Sequence, residues 1–270
     1  MGSYGHMYTR LKEADSIVNL KNPEKTDILF LGSSHSYRVF NTRIFQQAGY
    51  NTFNLGSSFQ TPVQTKYLVE KYIDSLNPDL VILETYPASF CDDGTESTLD
   101  LLSNTAINPK LARLILNHDD IIVYNTFLYS LYIDIFTNKK SQFVENTVKV
   151  NDTYIKGGFV EKKMDYYNYE TYDNQRWNFN ELQFETFREI LDILQSKDIK
   201  YILMQAPMTN ALYNSYDNNS EFDKRMEKLG RYVNLNKSVQ LDDSLHFYDD
   251  DHLNRTGVKI VDEKVLDLIK

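Results

Sequence analysis

Cysteine, positive charge and long apolar runs are all scarce in this sequence. Cys91 is the single cysteine, so a disulfide within the chain is excluded. The 38 acidic residues outnumber the 29 basic ones and give a net charge of -9, which argues against a nucleic-acid binder and against docking on anionic lipid. The most apolar long stretch, residues 121–136, is interrupted by Asn125 and Asp134, so the sequence predicts no membrane-spanning helix.

The length and composition fit one large globular domain. Of the 270 residues, 41% are apolar and 25% are charged, as in ordinary soluble proteins. We predict a single domain over residues 8–270. Residues 1–7 resemble the remnant of an expression tag and are set aside. A signal peptide or membrane anchor upstream of this sequence therefore stays open, and the cellular compartment with it.

Short apolar runs alternate with helical patterns through much of the chain. This alternation predicts a parallel sheet with helices on both faces, joined by right-handed crossovers. The predicted strands are residues 28–31, 51–55, 79–84 and 201–204, with a short last strand at 239–241. The predicted helices are residues 8–20, 42–48, 62–76, 181–196, 222–229 and 257–269.

Residues 91–180 interrupt this alternation. Helical patterns cover residues 97–103, 109–117 and 121–137, and a stretch rich in Tyr, Asn and Lys follows. A connection of this length within a compact domain is usually functional or disordered. We interpret it as an insertion over the sheet edge, part helical and part lid. A solvated appendage with no role in the site is the alternative.

The first strand ends in Gly32, Ser33, Ser34 and His35. Glycine allows a sharp turn at the strand end, and open α/β folds place their sites at the carboxyl edge of the sheet. A serine held there is a candidate nucleophile, while an ordinary polar loop is the alternative. The second strand also ends in a glycine and two serines, residues 56–58, which predicts two adjacent loops on one edge.

A matching partner stands near the end of the chain. Asp249 lies three residues before His252, just ahead of the last helix. A carboxylate at this spacing can fix the histidine tautomer and leave the second ring nitrogen free as a general base, which a serine nucleophile requires. Asp243 and His246 have the same spacing. We favour the later pair because it directly precedes the final helix.

A metal site in the same region is an alternative interpretation. Carboxylates and imidazoles there could act as ligands. However, no histidine pair has the spacing of a catalytic zinc helix, and three successive aspartates cannot all point the same way. We therefore predict neither a metal nor another cofactor. The ligands weighed are Asp242, Asp243, Asp249, Asp250, Asp251, His246 and His252.

Three blocks in this order resemble the SGNH (GDSL-type) hydrolase superfamily: Gly32-Ser33-Ser34, Asn54-Leu55-Gly56, and Asp249-x-x-His252. The resemblance implies a flavodoxin-like three-layer α/β/α fold and acyl transfer through an acyl-enzyme. It implies Ser34 as nucleophile, His252 as base and Asp249 as the orienting acid. The backbone N–H groups of Ser34 and Gly56 would then form the oxyanion hole.

The first block, with Ser33 in place of the usual aspartate and His35 after Ser34, resembles branches that add or remove acyl groups on cell-surface polymers. This implies an acylated small molecule or polysaccharide as substrate, no nucleic-acid partner, and a location in the bacterial cell envelope, with the cytoplasm left open.

One departure concerns the third block, where the superfamily usually supplies an asparagine to the oxyanion hole. Here strand three runs into Glu84, Thr85 and Tyr86. We therefore keep a second hypothesis, a catalytically weak or inactive SGNH-fold protein that binds glycans or acts as a scaffold. The residues that could contact the substrate or the oxyanion instead are His35, Gln60, Tyr86 and Gln205.

Overall fold

The computed structural model describes residues 4–20, 24–116, 118, 120–137, 142–168 and 170–270. Within these residues, five parallel strands form a central sheet and three antiparallel strands form a smaller one. In chain order the strands are β1 (Ile28–Leu31), β2 (Thr52–Asn54), β3 (Leu80–Glu84), β4 (Val148–Lys149), β5 (Asp152–Ile155), β6 (Phe159–Lys162), β7 (Lys200–Gln205) and β8 (Tyr232–Asn234).

The central sheet has the strand order β2-β1-β3-β7-β8. Counted along the chain, this is the order 2-1-3-4-5 of flavodoxin-like folds. Every neighbouring pair in it is parallel. The expected α/β fold class is therefore confirmed.

Helices fill the connections between the strands. Short 3-10 turns occupy Tyr4–His6 and Pro87–Phe90. The α-helices are α1 (Met7–Val18), α2 (Ser34–Val39), α3 (Thr42–Gln47), α4 (Pro62–Leu76), α5 (Thr95–Asn104), α6 (Pro109–Leu116), α7 (Ile121–Phe136), α8 (Glu181–Ser196), α9 (Asn210–Ser215), α10 (Asn219–Glu227), α11 (Leu235–Ser238), α12 (Asp243–His246) and α13 (Arg255–Ile269). Among these helices, none has the length and apolarity needed to cross a membrane.

Both faces of the central sheet are covered. Leu29 and Leu31 of β1 lie in one core with residues of α1, α4, α5 and α8. Ile28 and Phe30 lie in a second core with residues of α2, α3 and α13. This is why β1 is a continuous apolar run: a strand buried on both faces has no polar side to alternate with.

The last strand of the sheet was predicted wrongly. Residues 239–241 are not a strand; Val239 directly follows α11. The fifth strand is β8, which pairs in parallel with Leu203–Gln205 of β7. Both segments are three residues long and mix apolar with polar side chains, so only the pairing with β7 distinguishes them.

The insertion contains more regular structure than expected. The three predicted helices occur as α5, α6 and α7, but the β4-β5-β6 sheet was not anticipated. Its β5–β6 turn docks on the edge of the central sheet, because the Asn54 N–H donates to Gly157 O at 2.7 Å. At Gly158, with φ +100°, a Cβ would lie 2.2 Å from Asn54 O, so only glycine permits this approach.

The N-terminal helix is tied to the same turn. Arg10 is fully buried; its Nε donates to Gly158 O at 3.0 Å, and its guanidinium lies 4.6 Å from the ring centroid of Tyr37 on α2. His6 and Met7, from the segment that the sequence reasoning set aside, are also buried. Helix α1 therefore braces the helix that begins at Ser34.

Candidate active site

Ser34 begins α2 at the point where β1 ends. β1 and β3 are neighbours here while the crossovers after them lead to opposite sides of the sheet, which is where flavodoxin-like folds place their ligands. Gly32 has φ +138°, and a Cβ there would lie 2.7 Å from Cβ of Glu84. Ser33 caps the helix, because its Oγ accepts from the His35 N–H at 3.2 Å. The turn thus places Ser34 at the carboxyl edge of the sheet.

His252 reaches Ser34 from the loop between α12 and α13. Its Nε2 lies 2.9 Å from Ser34 Oγ. Its Nδ1 lies 3.1 Å from each carboxylate oxygen of Asp249. Oδ1 of Asp249 also accepts from the backbone N–H of His252 at 2.7 Å. Asp249 therefore holds the backbone of the loop as well as orienting the imidazole ring. The three residues expected to act together are therefore adjacent.

His246, the other histidine that follows an aspartate by three residues, has a different role. Nδ1 of His246 accepts from the Asp242 N–H at 2.8 Å, and Asp242 caps the short helix α12. Asp243 accepts from the N–H of Asn210 at 2.7 Å. These side chains stabilise the local turn, and the structure does not bring His246 to Ser34.

A second carboxylate, that of Asp251, lies against the same histidine nitrogen. Its Oδ1 is 2.7 Å from Nδ1 of His252, closer than Asp249 but off the line of the N–H. Its Oδ2 accepts from the Tyr86 hydroxyl at 3.1 Å and lies 3.7 Å from Nε2 of His35. The sequence reasoning considered Asp251 only as a metal ligand. Its position directly before the histidine was the available signal.

Three aromatic rings stack beside the serine. The His35 ring lies 3.9 Å from the Tyr86 ring and 4.8 Å from the His252 ring, centroid to centroid. His35 is buried, and this burial lowers its pKa to about 4, so His35 is neutral near pH 7. His35 thus packs against the base and Tyr86 packs against His35, while their contact with substrate or oxyanion stays a prediction.

The two glutamines do not join them. Gln60 is buried, with Oε1 accepting from Ser57 Oγ and Nε2 donating to Thr65 Oγ1, both at 2.9 Å. Gln205 is also buried, and its Oε1 accepts from the Tyr232 hydroxyl at 2.7 Å. Gln60 uses both ends of its amide, whereas Nε2 of Gln205 has no partner among the described residues, so the contact of either residue with substrate or oxyanion stays a prediction.

The charge of His252 is set by its neighbours. Burial alone would lower its pKa, but the carboxylates of Asp251 and Asp249 outweigh this and raise the pKa to about 10. Without substrate, the ring is therefore an imidazolium near pH 7, and its Nε2–H donates to Ser34 Oγ. The same interaction holds the pKa of Asp251 well below its usual range, although burial opposes it.

Glu84 is a further residue that the sequence reasoning did not assign to the site. It lies at the end of β3, and its Oε2 accepts from the Ser33 N–H at 3.1 Å and from Ser33 Oγ at 2.8 Å. Burial raises its pKa to about 7, although the hydrogen bonds from Ser33 oppose the shift. A carboxyl group from β3, the neighbour of β1 in the sheet, therefore supports the serine turn.

The expected oxyanion hole needs one correction. The Gly56 N–H donates to Asn54 Oδ1 at 2.9 Å, so this donor is already engaged. Gly56 is a glycine for steric reasons, since a Cβ would lie 2.9 Å from Ser33 O and from Ser36 Cβ. Within the described residues no acceptor meets the Ser34 N–H, and it stands at the N-terminus of α2 beside the hydroxyl.

Insertion residues hold the histidine loop in place. The Tyr167 N–H donates to Phe247 O at 2.9 Å, and Tyr172 donates from its hydroxyl to Asp250 Oδ2 at 3.2 Å. The two tyrosine hydroxyls are 2.6 Å apart. The later part of the insertion thus contacts the site through the loop that carries the base.

Two overlapping groups of side chains could hold a metal ion. One comprises His35, Asp251 and His252, and the other comprises Asp249, Asp250 and Asp251. In the contacts given above, most of the nitrogen and oxygen atoms that could bind a metal already contact one another or Ser34. Asp242, Asp243 and His246 belong to neither group within the described residues.

The arrangement places a serine, a histidine and a carboxylate in line at the edge of a flavodoxin-like sheet, the geometry that nucleophilic serine enzymes use.

No protein-family model and no curated protein matches the chain. Among solved structures, it is similar to a proposed acylhydrolase from Bacteroides fragilis, with 13% identity, coverage of 100% of this chain and 98% of that one, and a TM-score of 0.49.

A GDSL-like lipase from Bacteroides thetaiotaomicron is 12% identical, with coverage of 98% and 97% and a TM-score of 0.48. An acetyl xylan esterase is also 12% identical, with coverage of 90% and 100% and a TM-score of 0.43. At such identities and scores no functional argument rests on these similarities.

Proposed function

We propose that the protein is a serine-dependent ester hydrolase or O-acyltransferase that works through an acyl-enzyme on Ser34. The observation that carries the proposal is the line from Ser34 Oγ to His252 Nε2 at 2.9 Å and from His252 Nδ1 to Asp249 at 3.1 Å. A serine hydroxyl is a poor nucleophile at neutral pH unless a base takes its proton. This geometry supplies that base.

In the proposed reaction, Ser34 Oγ bonds to the ester carbonyl carbon while its proton moves to Nε2 of neutral His252. The Ser34 N–H, at the positive end of α2, donates to the oxygen that gains negative charge. The carbon–oxygen bond to the leaving alcohol then breaks, and His252 returns the proton to that alcohol. Water or a sugar hydroxyl then attacks the acyl carbon while its proton moves to Nε2 of His252. The bond from that carbon to Ser34 Oγ breaks, and His252 returns the proton to Ser34 Oγ.

The charge of His252 adds a condition. A base must be unprotonated to act, but Asp251 and Asp249 raise the pKa of His252 to about 10. The active fraction therefore grows as the pH rises toward 10. A substrate that excludes water or moves Asp251 would release the proton at lower pH.

We propose an acylated carbohydrate or another cell-envelope polymer as the substrate class, and the cell envelope as the location. The support is the sequence resemblance of the Gly32–His35 block to branches that modify surface polymers. The partner of the acyl-enzyme would then be water or a polymer hydroxyl, not a nucleic acid.

A non-catalytic glycan-binding or scaffold protein is the second candidate. Two observations favour it: the Gly56 N–H is engaged by Asn54, and β3 ends in Glu84 rather than leading to an asparagine. Losing one oxyanion donor lowers kcat by roughly a hundredfold to a thousandfold. The two candidates therefore differ in turnover and not in fold.

The test is turnover of p-nitrophenyl acetate by the wild type and Ser34→Ala at pH 7 and pH 9.5, with far-UV circular dichroism to check folding. We expect wild-type turnover above the Ser34→Ala background, larger at pH 9.5. A fluorophosphonate probe with peptide mass spectrometry should label Ser34. A folded wild type with neither turnover nor labelling would reject the hydrolase and favour the binding protein, to be tested on an acetylated-glycan array.

A further inference from the structure

Helix α7 exposes a continuous apolar face. Most large apolar side chains of a soluble domain are covered, but seven on this helix are between 55% and 70% exposed. They follow helical spacing and so form one stripe along the helix. The seven are Ile121, Ile122, Leu128, Tyr129, Tyr132, Ile135 and Phe136.

The opposite face of α7 is already used. Val123 and Ile133 are buried, and Ser130 Oγ donates to Leu102 O of α5 at 2.9 Å. The helix is therefore apolar on both sides, and a helix of that kind is normally buried on both sides. In the described parts of the chain nothing covers the second side.

The size of this face suits a protein interface. Aromatic side chains bury about 150–250 Å² each and aliphatic ones roughly 100 Å², so three aromatic and four aliphatic side chains that are about three-fifths exposed present on the order of 600 Å². A stable interface buries about 800 Å² per partner. Patches of this size are uncommon on monomers unless they bind something.

The charge pattern argues against lipid as the occupant. Helices that lie on a membrane surface carry Lys and Arg beside their apolar face. Residues 121–136 contain neither, and the chain as a whole has a net charge of -9. The helix therefore has no basic residues of its own beside the apolar stripe to hold it on an anionic membrane.

We infer that this face binds the α7 face of a second copy, in an antiparallel pair around a two-fold axis between residues 128 and 129. In that pairing the numbers of two facing residues add up to 257. Ile122 therefore faces Ile135 of the second copy, and Leu128 faces Tyr129 of the second copy. Asn125, the one polar member of the exposed stripe, faces the Tyr132 hydroxyl of the second copy. Such self-complementarity is what a two-fold interface requires.

Sedimentation equilibrium of the full chain between about 1 and 100 µM tests the inference. We expect a dimer for the wild type and a dimer Kd at least about a hundredfold weaker for Leu128→Glu, because an unpaired charge would be buried. Leu182→Glu, at an exposed leucine on α8, should leave the Kd unchanged. A cooperative melt of Leu128→Glu with the far-UV circular dichroism spectrum of the wild type would show that the variant still folds, because loss of a dimer alone lowers the melting temperature without removing cooperativity.

The antiparallel register has its own test. In a Cys91→Ala background, Ile122→Cys combined with Ile135→Cys should cross-link copies with a short bismaleimide, and Ile122→Cys alone should not. A wild type that stays monomeric at 100 µM would overturn the inference. So would cross-linking of Ile122→Cys alone, or co-sedimentation with phosphatidylcholine vesicles in place of dimerisation. None of these readouts depends on ester turnover.

Discussion

Ser34 and His252 share a hydrogen bond, but the two regions that position them are built differently. The serine turn follows a strand buried on both faces, and its glycine fits tightly against Glu84. The histidine loop is partly exposed, with the Asp249 side chain 41% and the Asp251 side chain 21% accessible. It is positioned by hydrogen bonds to carboxylates and to tyrosines of the insertion.

This comparison shows that the placement of the nucleophile and the placement and charge of the base depend on different interactions. Tight packing together with buried hydrogen bonds to Glu84 fixes where the nucleophile is, whereas contacts with partly exposed carboxylates fix both the position and the charge of the base. Changes in the serine region should therefore appear first as lost stability. Changes in the histidine region should appear first as altered pH dependence, and the following predictions break or sharpen this contrast.

The largest effect is expected at the base itself. His252→Ala should lower kcat/KM for p-nitrophenyl acetate by about a thousandfold or more, since serine without its base is nearly inert. The matched control is His246→Ala, which should stay within about twofold because His246 only supports α12. Equal loss in the two variants, or loss only in His246→Ala, would move the base to the other histidine.

Gly32→Ala tests the packing of the serine turn. It combines backbone strain of about 1–2 kcal/mol with overpacking of about 1–3 kcal/mol, so the free energy of unfolding should fall by about 3 kcal/mol. Gly49, at φ +93° with open space around a Cβ, should show the strain alone on substitution by Ala, about 1 kcal/mol. Urea unfolding measures both, and equal losses would mean that Glu84 yields to the added methyl.

Asp251→Asn tests the charge of the histidine region. Removing this carboxylate should lower the pKa of His252, and the neutral base would then form at lower pH. The alkaline midpoint of kcat/KM, expected near 10 in the wild type, should fall by at least about one unit, equivalent to about 1.4 kcal/mol. Asp250→Asn serves as control, because Asp250 contacts Tyr172 instead, and a midpoint unmoved by Asp251→Asn would leave Asp249 as the dominant partner.

Tyr172→Phe should produce the smallest effect. It removes one hydroxyl that contacts both Tyr167 and Asp250, a loss of about 1 kcal/mol of local stability. Amide hydrogen exchange in residues 248–252 should quicken about fivefold, while residues 29–32 stay unchanged. Tyr166→Phe, at an exposed ring, is the matched control, and quickening in both segments would show that the two regions unfold together.

The sequence predicts the central fold well because its strands are strongly marked. Ile28–Leu31 and Leu80–Glu84 are apolar on both faces, and turn or capping residues bound the helices between them. The edge of the sheet is predicted poorly, since Tyr232–Asn234 has three residues and only pairing with β7 identifies it. The hairpin around Gly157 carries a signal in its paired glycines that was not used.

For the site, the acid-to-histidine spacing brought Asp249 and His252 forward, and the family resemblance singled out Ser34 from the serines after the first strand. Asp251 and Glu84 were missed for different reasons: Asp251 directly precedes His252, a signal that was available, whereas the role of Glu84 depends on its contact with Ser33 across the fold. Gly56 was assigned an N–H that Asn54 engages. That bond joins residues two apart, the spacing of an Asx turn, so it has a local signal, whereas the contact of Glu84 with Ser33 joins residues 51 positions apart.

The hydrogen bond between Ser34 and His252 joins residues 218 positions apart, and this separation governs when the site can exist during translation. At about 5–20 residues per second, Ser34 is made some 10 to 40 seconds before its base. Strand β7 must also be synthesised before the sheet beside β3 is complete. A ribosome-bound chain therefore carries a serine with no partner, and esters in the surrounding solution are safe from it until almost the whole protein has been made.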